Sequence, residues 1–196
     1  MVTEKEIDYY NELQENTDVE SLRSQYADGI IIWINGSGSN PSCPGCYRYV
    51  LDFNGHIKYA EKELPGATAN QAMIIGAIDA VRCITAPKRL YLVSGTALGF
   101  AKAFKGKGVN EELLQDLLEL VKSKKCQLTE VQFYNGADKI RKFVYECNPN
   151  KGLVPEKKDY KTMIFEDCLK KVTQVLEKHQ IDPSIIAEVN ELKPWQ

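Results

Sequence analysis

GIIIWINGSGSNPSCPGCYRYVLDFNGHIKYAEKEL, residues 29–64, carries three strand patterns separated by two turn signals. The run IIIWI at 30–34 is continuous and apolar, which suits a strand covered on both faces. GSGSNPSCPG at 36–45 is built from residues that accept unusual dihedrals or bond their own backbone, so it reads as a loop. YRYVLDF then alternates, Asn54-Gly55 is a favoured two-residue hairpin turn, and HIKYAEKEL alternates again. Three consecutive antiparallel strands follow, the first of which delivers the uncharged Asn35 to a Gly/Ser turn.

Downstream the period changes. In ATANQAMIIGAIDAVRCI (67–84) apolar residues from Ala72 to Val81 recur at helical spacing, with Thr68 placed to cap. RLYLVS (89–94) is a strand that the crossover helix would set parallel to the first. TALGFAKAF starts a helix that KGKG ends. NEELLQDLLELVKSKK is strongly amphipathic with Asn110 as its cap, LTEVQFY is a fifth strand, and GADKIRKFVYEC opens a further helix. Ahead of this block, residues 1–28 form an acidic arm. Glu4, Glu6, Asp8, Glu12, Glu15, Asp18, Glu20 and Asp28 against Lys5 and Arg23 leave a net charge of −6. Ile7, Tyr10 and Leu13, then Val19, Leu22 and Tyr26, recur at helical spacing and predict one or two short helices there. Behind the block, 148–196 combine a polar linker, NPNKGLVPEKK, with an amphipathic helix over 159–180 and a terminal Trp195 that needs a surface to dock on. The expected organisation is therefore an arm (1–28), an α/β domain (29–147) and a helical extension (148–196).

Composition narrows the chemistry. A net charge of −2 over 196 residues argues against a surface that binds nucleic acid by charge alone. No apolar run approaches the roughly 18 residues a bilayer requires, and the acidic start has no secretory pattern. A cytoplasmic protein without a membrane partner is expected. Cys43 and Cys46 make half of a zinc knuckle in SCPGC, but no second pair stands at matching spacing, and neither His56 nor His179 sits in a ligand pattern. No structural metal is expected.

Strand, strand, strand, helix, strand, helix, strand, helix, with the first three strands antiparallel, resembles the ribonuclease H fold. WINGSGSNPSCPGCYRYVL is similar to that family's first-strand motif, in which an aspartate precedes Gly-Ser. TANQAMIIGAIDAV is similar to its Thr-x-Asn-x-x-Glu helix start, and LYLVSGTALGF to its strand ending in a Thr-Asp-Ser turn. The resemblance spans about residues 29–147. It implies a mixed five-stranded sheet with helices on both faces, and an enzyme that cuts the RNA strand of RNA–DNA hybrids with two magnesium ions.

The resemblance also exposes what this chain lacks. Two divalent cations about 4 Å apart need several anionic oxygens between them. Position by position, the family's carboxylates fall on Asn35, Met73 and Gly95, and only Asp138 keeps the charge. An amide is a weak ligand for magnesium, a thioether is too soft, and glycine has no side chain. Carboxylates elsewhere do not substitute for them: Asp79 lies six residues past Met73, turned about 240° from its face. Asp52 sits beside a turn, where a solvated acid is ordinary. No catalytic residue and no cofactor is expected. Mg²⁺ enters only if the chain is instead a divergent nuclease.

Binding is the expectation that remains. Ser37, Ser39, Asn40, Asn70, Gln71 and Thr96 match positions with which the family grips its hybrid. Lys102, Lys105 and Lys107, with Lys88 and Arg89, suggest a basic edge tracking phosphates. A second basic cluster runs from Lys139, Arg141 and Lys142 to Lys151, Lys157, Lys158 and Lys161. The sequence thus points to a ribonuclease H-like pseudo-nuclease that binds a protein partner, a second copy of itself, or RNA and RNA–DNA hybrid. An active nuclease and a purely structural self-associating protein are the alternatives.

Overall fold

A computed structural model of the chain describes residues 1–40, 43–151 and 160–179, with side chains in the last stretch from Cys168 onward, and positions 182, 184, 185 and 189. Two compact units are present, Met1–Lys151 and Gly152–Gln196. The second contains the helix Tyr160–Lys178, on which Val172 and Val175 are about half exposed. Trp195, Lys157, Lys158 and most of the linker lie outside the described residues, as do the side chains of Lys161, Met163 and Ile164.

In the first unit the elements run β1 (Tyr9–Gln14), α1 (Val19–Gln25), β2 (Ile30–Ser37), β3 (Gly45–Phe53), β4 (His56–Leu64), α2 (Ala69–Arg82), β5 (Arg89–Ser94), α3 (Phe100–Ala103), α4 (Glu111–Ser123), β6 (Gln127–Phe133) and α5 (Ala137–Glu146). They form one mixed sheet in the order β1-β6-β5-β2-β3-β4. The β2–β3–β4 meander is antiparallel, and β2, β5, β6 and β1 are parallel neighbours. Asn54 and Gly55 both take positive φ, +52° and +82°, which gives the hairpin its right-handed twist.

The continuous apolar strands are buried on both faces, as their composition requires. Ile32, Ile34, Leu90 and Leu92 turn to one side and pack under α2 and α4. Ile31, Trp33, Tyr91 and Val93 turn to the other, under α1 and α5. Thr68 caps α2 through a reciprocal pair, its Oγ1 accepting from Gln71 N while Gln71 Oε1 accepts from Thr68 N.

Three expectations are corrected. The sheet has six strands rather than five, because residues 9–14 form β1 on the edge of β6 where helical spacing predicted a helix. Tyr10 and Leu13 do lie three residues apart, but Tyr9, Glu12 and Gln14 find partners only in an extended chain. Tyr9 donates to Glu130 at 2.6 Å, and Glu12 accepts from Tyr26 at 2.6 Å. The helix after β5 has only four residues, since Gly99 starts it at φ +102° and Gly106 follows at φ +63°. Asn110 stands at the N-cap of α4, yet its side chain makes no capping bond and its buried Oδ1 has no partner among the described residues.

Five tyrosines donate to carboxylates: Tyr9 to Glu130, Tyr26 to Glu12, Tyr47 to Asp79, Tyr59 to Glu61 and Tyr91 to Asp28. Burial first, and then the neighbouring anion, pushes each phenol above its ordinary value. The folded chain therefore holds these protons more tightly than the unfolded chain does. Stability is intact below about pH 10 and falls as the pH rises past it, because only the unfolded phenols ionise there. Denaturant titrations at about pH 8 and about pH 11 are expected to show a clear drop, with a further rise in phenolate absorbance on unfolding at the higher pH.

Candidate functional site

The carboxyl ends of β2 and β5 lie side by side. Their ladder closes at Trp33↔Val93, so Asn35 and Gly95, each two residues further on, stand at the same level. Asn35 is paired with Arg48 of β3 and is partly exposed. Gly95 is covered by the first turn of α5. A Cβ built there would lie 2.6 Å from Ala137 Cβ and 2.7 Å from Ala137 Cα. Gly36 is covered in the same way by α2, its missing Cβ falling 2.7 Å from Ala69 O and 2.8 Å from Met73 Cγ. Met73 is buried in the apolar layer beneath α2. Asp138 is exposed on α5 and pairs with Arg141 at 2.7 Å.

Of the four positions that the sequence aligns with a metal site, one is thus a partly exposed amide and one a buried thioether. The third is a glycine with no room for a side chain, and the fourth a solvated carboxylate already holding a cation. Their donor set does not fit a pair of magnesium ions. Among the described residues no group of three or more His, Cys, Asp and Glu side chains is placed to hold a metal. Nor are the two carboxylates weighed as replacements, Asp52 and Asp79, free. Asp52 is buried, accepting from Arg23 Nε at 2.6 Å and from Gly55 N at 3.2 Å, which corrects its reading as a solvated acid. Asp79 accepts from Tyr47 and, at 2.8 Å, from Arg82.

The polar positions differ in how far the fold uses and covers them. Ser39 Oγ accepts from Gly45 N at 2.8 Å and Gly66 N at 2.7 Å and donates to Leu64 O at 3.2 Å. That exhausts a hydroxyl's capacity and staples the β2–β3 loop to the β4–α2 loop. Ser39→Ala leaves two backbone donors unpaired and is expected to cost about 2–3 kcal/mol, read as a lower denaturant midpoint at unchanged slope. Gln71 is spent on the helix cap. Ser37 is exposed, with Oγ 3.1 Å from Cys46 Sγ. Asn40 is exposed on the loop, its backbone bridging to Cys43. Asn70 is exposed on the first turn of α2, and the exposed Thr96 follows β5, its carbonyl accepting from Ser94 Oγ.

Lys102, Lys105 and Lys107 are exposed on α3 and the loop after it, without an ion pair among the described residues. That loop continues toward α2: Gln71 and residues 108–113 line a shared hollow of about 360 Å³. Lys88 and Arg89 do not join them. They stand at the start of β5, roughly 15–20 Å from its far end, with Lys88 over the Phe53 ring and Arg89 bound to Asp28. The single basic edge drawn from sequence is therefore two separate places. Three members of the second cluster have partners: Lys139 donates to Thr17 O at 2.7 Å, Arg141 pairs with Asp138, and Lys142 lies 4.0 Å from Glu146.

Sequence reading missed Glu130. It is buried under β1 and the β5–α3 loop, accepting from Tyr9 at 2.6 Å and from Leu98 N at 3.0 Å. The one available signal was an acid in the middle of the apolar strand LTEVQFY.

The chain is similar to RNase H1 from the halophilic archaeon Halobacterium salinarum NRC-1. That crystal structure shares 16% sequence identity, covers 60% of this chain and 96% of its own, and superposes with a TM-score of 0.47. So distant a likeness establishes neither fold nor activity here. No protein-family model and no curated protein matches the chain. Among the described residues no helix is long and apolar enough to cross a membrane.

Proposed function

We propose that this chain is a ribonuclease H-like module that does not cleave and works by binding, with nucleic acid the favoured ligand at the strand ends. The fold reading is supported by the β4-β3-β2-β5-β6 strand order, by the antiparallel meander and by the three sequence motifs. The observation that carries the loss of catalysis is the contact at Gly95. The place of the second aspartate is filled by Ala137, so that a carboxylate is missing and has no space to return to. Binding is supported by Ser37, Asn40, Asn70 and Thr96, exposed on the loops and helix start around the ends of β2 and β5, with the exposed Lys102, Lys105 and Lys107 on the segment that follows Thr96.

An RNA–DNA hybrid incubated with the full chain and Mg²⁺ or Mn²⁺ is expected to stay intact and to be retained with an affinity that falls steeply with salt. Changing Lys102, Lys105 and Lys107 together to Gln is expected to reduce the salt slope by about 2–3, near one per lost phosphate contact. Metal-dependent cleavage would return the chain to the nucleases. Retention indifferent to salt and to the three lysines would move the function to a protein partner.

A further inference from the structure

The two edges of the sheet are defended differently. β4 exposes Lys58, Glu61, Lys62 and Glu63, charges that discourage another strand from pairing. β1, at the other edge, exposes Tyr10 and Leu13, at 52% and 56%, and no described strand lies beyond it. Asp8 O and Gln14 O accept from Leu128 N and Tyr134 N of the β6 segment, so by alternation residues 8, 10, 12 and 14 face β6. The amides and carbonyls of Tyr9, Asn11 and Leu13 point outward. Beside them, on the α3 side, is an open cleft of about 520 Å³ to which Tyr9, Asn11 and Phe104 contribute.

We propose that this edge is an isologous interface, in which β1 of one chain pairs antiparallel with β1 of a second copy about a twofold axis at Asn11. Only residues with outward backbone groups can form the hydrogen-bonded pairs, and the register centred on Asn11 uses all three of them. It sets Tyr9 opposite Leu13, Asn11 opposite Asn11 and, on the other face, Tyr10 opposite Glu12 and Asp8 opposite Gln14. An apolar pair thus covers the exposed leucine, and each acid meets a neutral hydrogen-bonding side chain. A register shifted by two residues toward the C-terminus sets Glu12 opposite Glu12; one shifted the other way leaves Leu13 facing Ile7, outside the strand. The centred pairing makes one continuous sheet of two six-stranded halves. Asp8 and Glu12 of opposite copies remain diagonal neighbours, roughly 7–8 Å apart. Salt therefore screens a repulsion and tightens the dimer, the opposite of its effect on phosphate binding, so this interface stands or falls apart from the nucleic-acid reading.

Sedimentation equilibrium of the full chain, with amide exchange at rising protein concentration, tests the interface. A monomer–dimer equilibrium is expected that strengthens with salt, with protection growing at Tyr9, Asn11 and Leu13 and unchanged at Tyr10 and Glu12. Asn11→Pro removes an outward N–H from each copy and spares the ladder to β6. It is expected to weaken the dimer by about tenfold or more. Leu13→Lys, which leaves the backbone intact, is expected to weaken it similarly should the proline variant misfold. A chain that stays monomeric, a dimer indifferent to both substitutions, or outward amides protected equally at every concentration would overturn the proposal. The last outcome would mean that another part of the same chain covers the edge.

Discussion

Replacing Gly95 with aspartate is expected to lower stability by roughly 2–4 kcal/mol and to leave cleavage undetectable, even when Asn35→Asp and Met73→Glu are added. The cost begins at the first carbon. A Cβ at 95 meets Ala137 Cβ at 2.6 Å, Cα at 2.7 Å and N at 3.0 Å, so α5 itself must move. Moving it disturbs Ile140 and Val144, which are fully packed against Trp33 and Phe133. Gly95→Ala should therefore reproduce most of the loss, which separates packing from charge. Met73→Glu adds the burial of a carboxylate at a 7% exposed position in the apolar layer beneath α2. Denaturant midpoints of the single variants and a hydrolysis assay on the triple variant decide it. A stable Gly95→Ala protein, or a triple variant that cuts with Mg²⁺, would show that the pocket is merely uncharged.

Most of the sheet could be read from the chain because burial wrote it there. IIIWI is apolar at every position and RLYLVS from Leu90 to Val93, as strands covered on both faces must be, and the Asn54-Gly55 turn fixed the register between β3 and β4. The N-terminal strand escaped because YYNELQ is neither continuously apolar nor strictly alternating. Its conformation is decided by distant groups, Glu130 under Tyr9 and Tyr26 beside Glu12, that no local window contains. The candidate site was legible as a set of missing charges, since side-chain chemistry is visible in a sequence. Its closure was not, because only the fold brings Ala137 onto Gly95. The same limit applies to the lysines: spacing along the chain grouped Lys88 with Lys102, whereas the length of β5 sets them at opposite ends of the sheet.

The Arg23–Asp52 pair supplies the second large effect. Asp52 is only 3% exposed in its side chain, and Arg23 Nε reaches it at 2.6 Å from α1. Arg23→Met strands a buried carboxylate opposite Ile31, with Gly55 N as its one remaining donor among the described residues. Breaking a buried pair from one side typically costs about 3–5 kcal/mol. Arg23 is 27% exposed, so water partly relieves the loss, and about 2–4 kcal/mol is expected. The guanidinium also lies 5.6 Å from the centre of the Phe143 ring, a contact that methionine's thioether partly replaces. If the damage comes from the orphaned charge, Arg23→Met combined with Asp52→Asn must be more stable than Arg23→Met alone, because the amide keeps the bond from Gly55 N without the buried anion. If it comes from lost packing, the second substitution brings no recovery. Thermal or denaturant unfolding of the two variants distinguishes them, and an Arg23→Met protein within about 0.5 kcal/mol of the parent would mean that α1 is not tied to the sheet through this pair.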